Sequence, residues 1–265
     1  MPPSELELAL GSVTPGDPLP LELPIAHLTA ARWLRGILGA GHIAPRLCKV
    51  FKQNLLYFSY GGVFYRTSKF QSENAAELPV GMVFTPQVLD KCIKLFPFDS
   101  GAMARKLYGD CWYDAMEPFE KRFSIDGGNM STAARMLVKN LYLTNSKYVE
   151  GRPVQNIASS SSALALLHGF LMEDMSAATG VPGGIDHRQR SIELLSAAPV
   201  SVAEDLVWIG LPLSRLSGTM KAIRRLRRTL PQVYTYKASR NFNPDAHAAD
   251  LERAAYDDVI ANYLK

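Results

Sequence analysis

Apolar positions follow two different periods along the chain, and each change of period marks an element. In "HLTAARWLRGILGAG", Leu34, Ile37 and Leu38 recur at helical spacing, with Thr29 placed to cap the start and Gly39 and Gly41 to end it. "NLLYFSYGG" is aromatic and aliphatic and predicts a strand, which "FYRTS" continues after a bend or bulge at Gly61 and Gly62. "LPVGMVFTP" predicts another strand, bounded by prolines. "FPFDSGAMARKLYG" reads as a turn that opens a helix, with Asp99 or Ser100 as its cap. Helical patterns follow in "WYDAMEPFEKRF", "STAARMLVKNLYL" and "SSSSALALLHGFLMEDM", the last apolar on most sides and so expected to be covered.

The glycine-rich "SAATGVPGGI" is a loop. Beyond it come the strands "RSIELLS" and "DLVWIGLP", then a basic helix with Met220, Ile223 and Leu230 inward, then the strand "QVYTYKAS". A final helix carries Leu251, Ala255 and Val259 on one face. Residues 1–23 hold five prolines and predict an extended arm ahead of a single domain, residues 24–265. Strands and helices mix without regular βαβ alternation, which predicts an α+β fold with a twisted, largely antiparallel sheet.

Composition narrows the class. With 47% hydrophobic and 20% charged residues over 265 positions, the chain can bury a substantial core and is not disordered as a whole. Its N-terminus lacks a basic start and an apolar run, and no stretch is long enough to span a bilayer, so a soluble, cytoplasmic protein is expected. The cysteines Cys48, Cys92 and Cys111 are odd in number and lack metal-ligand spacing, which fits free thiols and no metal. The net charge of +4 is local: Arg215 to Arg228 hold six basic residues and no acid, and the remainder is slightly acidic. Such a patch suits an anionic partner, although a solvated helix face has the same composition.

Three places could carry chemistry. His27, Leu28 and Thr29 stand where an apolar strand meets a helix start, so the imidazole and the backbone amides could meet a polar ligand. Tyr57, Ser59 and Tyr65 alternate with apolar residues and can share one strand face, near the flexible Gly61–Gly62 pair and the cation Arg66. Glu193 lies between Ile192 and Leu194. It either faces solvent from a half-buried strand or serves a sugar hydroxyl and the positive charge that grows as a glycosidic bond breaks. No second carboxylate pairs obviously with it, and no G-x-G-x-x-G, Walker A or G-x-S-x-G pattern occurs.

Taken in order, these places resemble the ADP-ribosyltransferase superfamily, DarT-like bacterial toxins and phage-defence proteins in particular. Its members carry a histidine on the first core strand, an aromatic on the second and a glutamate on a later strand after a loop. Here those are His27, Tyr57 or Tyr60, and Glu193 in "RSIEL". "ARWLRGILGAGHI" is similar to the "sIL..Gl" segment of such toxins, and "LLYFSYGGVFYR" with "FPFDSGA" to transferases whose second strand reads "FYGRPAYR". The usual arginine after "YG" is replaced by Gly62, while Arg66 is kept.

The resemblance spans about Leu23 to Pro212 and implies a split, twisted sheet with surrounding helices. It also implies NAD as a consumed substrate. Glu193 would bind the 2′-hydroxyl of the nicotinamide ribose, with Arg66 holding the phosphates or helping catalysis. His27, Leu28 and Thr29 would bind the adenosine side; Ser59, Tyr60 and either Tyr57 or Tyr65 would complete the NAD site. The loop before Glu193 would recognise the target, with Arg188 and Arg190 approaching the acceptor or the pyrophosphate.

Nucleic acid, as RNA or single-stranded DNA, is preferred to protein as acceptor. Lys221, Arg224, Arg225 and Arg228 could track phosphates, and the tyrosines of "VYTYKASR" could stack on bases. A toxin or antiphage effector restrained by an antitoxin protein is the implied setting. The other readings are a protein-modifying transferase, an NAD glycohydrolase, and a nucleic-acid-binding protein without activity.

Overall fold

The computed structural model describes residues 2–11, 18–62, 64, 74–105, 108, 119–157, 161–177, 187–238 and 244–264. The elements run α1 (Glu5–Gly11), β1 (Ile25–Ala30), α2 (Ala31–Ala40), β2 (His42–Ile43), β3 (Arg46–Leu47), β4 (Asn54–Tyr60), β5 (Pro79–Phe84) and β6 (Cys92–Phe96). Then come α3 (Ser100–Ala104), α4 (Phe119–Phe123), β7 (Ile125–Asp126), α5 (Met130–Tyr142), α6 (Asn145–Val149), α7 (Ser162–Ala177) and α8 (His187–Arg190). β8 (Glu193–Ser196), β9 (Val200–Ser201), β10 (Leu206–Pro212), α9 (Leu216–Leu226), β11 (Gln232–Tyr236) and α10 (Pro244–Asp258) complete the order. The fold is α+β with a mainly antiparallel sheet, as the mixed pattern predicts. Residues 65–68 of "FYRTS" and the loop before α8 lie outside the described residues, as does most of "WYDAMEPFEKRF".

The elements group into two compact units, Met1–Glu22 with Cys92–Leu195 and Leu23–Lys91 with Ser196–Lys265. In the second unit the strands lie in the order β11-β10-β5-β1-β4. β1 pairs antiparallel with β5 from Ile25↔Phe84 to Ala30↔Pro79, and with β4 through Ile25↔Tyr60 and Ala26↔Ser59. All six residues of β5 are buried, which explains its unbroken apolar run: both faces of a central strand are covered.

Trp208 of β10 is fully buried, stacked on Phe64 and Tyr234 at ring separations of 6.1 and 6.3 Å, and its Nε1 donates to Asp258 Oδ2 at 2.8 Å. Gly210 and Gly81 face each other in the ladder beside it. A Cβ on Gly210 would stand 2.4 Å from the indole, so that glycine is the space the ring occupies.

β10 and β11 run parallel, joined through α9. This is a βαβ unit that the irregular order of elements does not predict. Parallel neighbours need a long crossover, and the basic helix supplies it. α9 packs on α2, burying Thr219 and Ile223. It ends at Leu226, so Leu230, expected on its inner side, lies beyond the helix and is exposed.

α2 ends at Gly41, in the left-handed region and donating to Ile37 O, while Gly39, also expected to end it, lies within the helix. Its start differs. Thr29 belongs to β1 and is not the cap: the capping position is Ala30, which has no side-chain acceptor, and the first helical amide, Ala31 N, donates to Leu78 O at 2.8 Å. A tertiary acceptor thus satisfies one of the amides the helix leaves without an internal partner.

In the first unit β8, β6 and β7 lie in that order, with β6 and β7 antiparallel. Phe98 sits among Phe96, Phe119, Phe123 and Phe170, each within 6.4 Å between ring centres. The N-terminal segment, expected to be extended, forms α1, which buries Leu6, Ala9 and Leu10. Ser4 Oγ accepts from Glu7 N at 3.0 Å, so the S-x-x-E sequence caps a helix that Pro2 and Pro3 precede and do not interrupt. Residues 20–22 are tied down as well: Arg135 donates to Pro20 O, Asn145 to Leu21 O, and Ser131 to Glu22.

Candidate active site

The second unit contains a cleft of about 490 Å³ built from three neighbouring stretches. β1 contributes His27, Leu28 and Thr29, α2 contributes Trp33, and the β3–β4 hairpin contributes Arg46 and Tyr57. Two of the three sequence candidates thus meet on one wall. They meet because β1 and β4 are antiparallel neighbours and β1 leads directly into α2.

His27 Nδ1 lies 2.8 Å from Tyr57 O. A carbonyl only accepts, so Nδ1 carries the proton and Nε2 keeps its lone pair. Burial pushes the ring below the ordinary imidazole value of 6.5; the Tyr57 bond opposes this and the charge on Arg46 adds to it. The folded protein therefore holds a neutral imidazole whose free nitrogen accepts.

A depressed histidine favours the folded state above pH 6.5, and that contribution is lost as pH falls from 6.5 through the folded value. His27→Asn should therefore flatten the decline in urea midpoint between about pH 6.5 and 5. His247, also lowered chiefly by burial, keeps its share of the slope.

Tyr57 donates its hydroxyl to Cys48 Sγ at 2.6 Å, and the amides of Val50 and Phe51 point at the same sulfur at 3.3 and 3.5 Å. The phenol ring is thereby fixed on the wall of the cleft. The Arg46 guanidinium lies 3.9 Å over the Trp33 ring. It is a cation held in place at the cleft that no sequence pattern singled out.

Tyr60, the alternative to Tyr57, is corrected by its surroundings. It is fully buried, and its hydroxyl accepts from Leu23 N at 3.0 Å, so it braces the core. Ser59 is buried and does not line the cleft. Tyr65 and Arg66 lie outside the described residues.

The first unit holds the third candidate. Glu193 opens β8, all four residues of which are buried, and is itself 2% exposed. The solvent-facing alternative is therefore excluded. Its Oε2 accepts from the Ser100 backbone N at 3.2 Å and from the Ser100 hydroxyl. By sequence either Asp99 or Ser100 can cap α3. Asp99 takes that role, its Oδ1 accepting from Ala102 N at 3.0 Å, which frees the Ser100 side chain for Glu193.

The segment leading to β8 is anchored, since Ile192 N donates to the Tyr148 hydroxyl at 3.2 Å. Arg190, expected to approach an acceptor, is instead buried and donates from Nη1 to Val149 O at 2.6 Å. It packs where a Cβ on Gly151 would come within 2.9 Å of it, as an internal strut. The Arg188 side chain lies outside the described residues.

Lys221, Arg224, Arg225 and Arg228 are all exposed, the first three on α9 and the last just past its end. Arg227 differs: it donates to Leu206 O and secures the end of the crossover. Among the described residues, no cluster of three or more histidine, cysteine or carboxylate side chains could hold a metal ion, and no helix is long and apolar enough to cross a membrane.

The class these features define is an α+β protein with a carboxylate fixed at a strand head and a cleft offering a neutral imidazole, a phenol and a stacked guanidinium. No family model and no curated protein matches the chain. Among solved structures it is similar to Thermus sp. 2.9 DarT in complex with NAD+, at 13% identity and a TM-score of 0.42, over 83% of this chain and 98% of that one. It is similar also to the same protein in complex with ADP-ribosylated ssDNA, at 10% identity and a TM-score of 0.42, over 82% and 95%.

Proposed function

We propose that the chain is an ADP-ribosyltransferase that cleaves NAD and transfers ADP-ribose to a nucleic acid. The reading rests on the ordered set His27, Tyr57 and Glu193, and one observation carries it: Glu193 is a buried carboxylate held by an amide and a hydroxyl. In the reaction the C1′–N bond of the nicotinamide riboside breaks and nicotinamide leaves with the electron pair. The ribose ring takes up positive charge, and a base or hydroxyl of the acceptor forms the new bond to C1′ and loses its proton. A fixed carboxylate stabilises that charge and accepts from the 2′-hydroxyl. His27 Nε2 and Thr29 suit the adenosine ribose, Tyr57 a planar ring, and Arg46 a phosphate. Arg66 is retained as a second cation for the phosphates. A role as a toxin or antiphage effector held by an antitoxin belongs to the same reading.

The test is transfer of label from NAD to RNA, to single-stranded DNA and to total protein. Label on nucleic acid supports the reading. Label on protein moves the acceptor, and free ADP-ribose alone makes the chain a glycohydrolase. The exposed cations of α9 favour one rival, a nucleic-acid-binding protein without activity, which predicts salt-sensitive binding and no NAD turnover. Reversing Arg224, Arg225 and Arg228 to glutamate should weaken labelling of nucleic acid by about 10-fold or more, since each contact to a phosphate is lost. NAD hydrolysis should be unchanged, and equal labelling by variant and wild type would make the patch plain surface.

A further inference from the structure

We infer that Ser100 is a positioning residue, the group that fixes the Glu193 carboxylate in the orientation its chemistry needs. The inference rests on the role given to Glu193 above and adds to it a residue 93 positions away in sequence.

Ser100 is fully buried and Glu193 nearly so. A glutamate side chain has three rotatable torsions, and its carboxylate can meet a ribose hydroxyl in one orientation only when something holds it. Ser100 supplies two donors from a single residue, its amide at 3.2 Å and its hydroxyl, and both fall on Oε2. Two donors converging on one oxygen set the plane of the group as well as its position.

The local sequence makes this arrangement possible. The first amides of a helix have no partner within it, and the serine hydroxyl usually turns back to serve one of them. In "DSGA" the preceding Asp99 does that work by accepting from Ala102 N. Ser100 is therefore the first residue of α3 and not its cap, and both of its donors face the carboxylate. The Phe98 aromatic cluster immediately before it keeps the turn in place.

Ser100→Ala, Ser100→Cys, Ser100→Thr, Glu193→Gln and the Ser100→Ala/Glu193→Gln double variant would be assayed for NAD cleavage, with kcat and KM separated and folding followed by thermal melting. Loss of one bond to a charged group should lower kcat in Ser100→Ala by about 10- to 100-fold and leave KM for NAD within about 3-fold. Cysteine keeps the volume but donates weakly, so Ser100→Cys should fall nearly as far with an unchanged melting temperature. Threonine keeps the hydroxyl and should retain most of kcat.

In the Glu193→Gln background, Ser100→Ala should have no further effect, because its influence runs through the carboxylate. Loss of activity in Glu193→Gln together with wild-type kcat in both Ser100→Ala and Ser100→Cys overturns the inference alone. An equal further loss in the double variant does the same. Wild-type activity in Glu193→Gln overturns the role of Glu193 itself and, with it, that of Ser100. If Ser100→Ala does not fold, the comparison of cysteine with threonine decides.

Discussion

Glu193→Gln should lower NAD cleavage by about 10²- to 10³-fold, the size of effect that follows loss of one preorganised electrostatic stabiliser. The substitution preserves shape. Glutamine fills the same buried space at the head of β8, and its amide oxygen can still accept from Ser100. What disappears is the negative charge, and that charge is worth most in a site from which water is excluded, as 2% exposure implies for Glu193. A stabiliser acting only as the ribose becomes cationic lowers kcat and leaves the KM for NAD nearly unchanged. Released nicotinamide, measured at saturating NAD, is the direct readout. Turnover equal to wild type would remove the carboxylate from the mechanism.

Trp208→Ala should cost about 3–5 kcal/mol of stability, as truncation of a fully buried large aromatic does. Three losses combine. The indole fills the space that Gly210 leaves beside Gly81, it stacks between Phe64 and Tyr234, and its Nε1–H serves Asp258. Trp208→Phe should cost less, about 1–3 kcal/mol, since most of the packing survives and the principal loss is a hydrogen bond to a charged group. Urea unfolding followed by circular dichroism checks both. A midpoint for Trp208→Ala equal to wild type would mean that β10 is not part of the core.

Much of this architecture is legible in the chain because local pattern and tertiary role agree. The apolar run of "LPVGMVFTP" becomes the central strand β5, Gly41 ends α2, and Leu251 and Ala255 on α10 and Val259 just past its end are all buried. Most of the misreadings share one cause, which is that a group's partner lies far away in sequence. Thr29 has the right chemistry for a cap, but pairing with β5 carries β1 on to Ala30 and moves the cap position one residue later. Tyr60 and Tyr57 are equivalent in a list of tyrosines, and only Leu23 N assigns one of them to the core. Arg190 looks like a free cation until Val149 O accepts from it. Ser100 carries no motif. Its signal is the aspartate immediately before it, which already satisfies the helix and so releases the serine. At α1 the misreading is local, because a four-residue capping signature prevails over the proline content.

The crossover between β10 and β11 has a consequence for how α9 meets anything. A helix sewn at both ends into adjacent parallel strands cannot swing, so its exposed charges form a comb of fixed pitch, about 5 Å per turn. Any anionic partner would have to supply the adjustment, and the protein would lose almost no entropy of its own when the two met. Lengthening the turn on either side of α9 would leave the composition intact and put the teeth out of line.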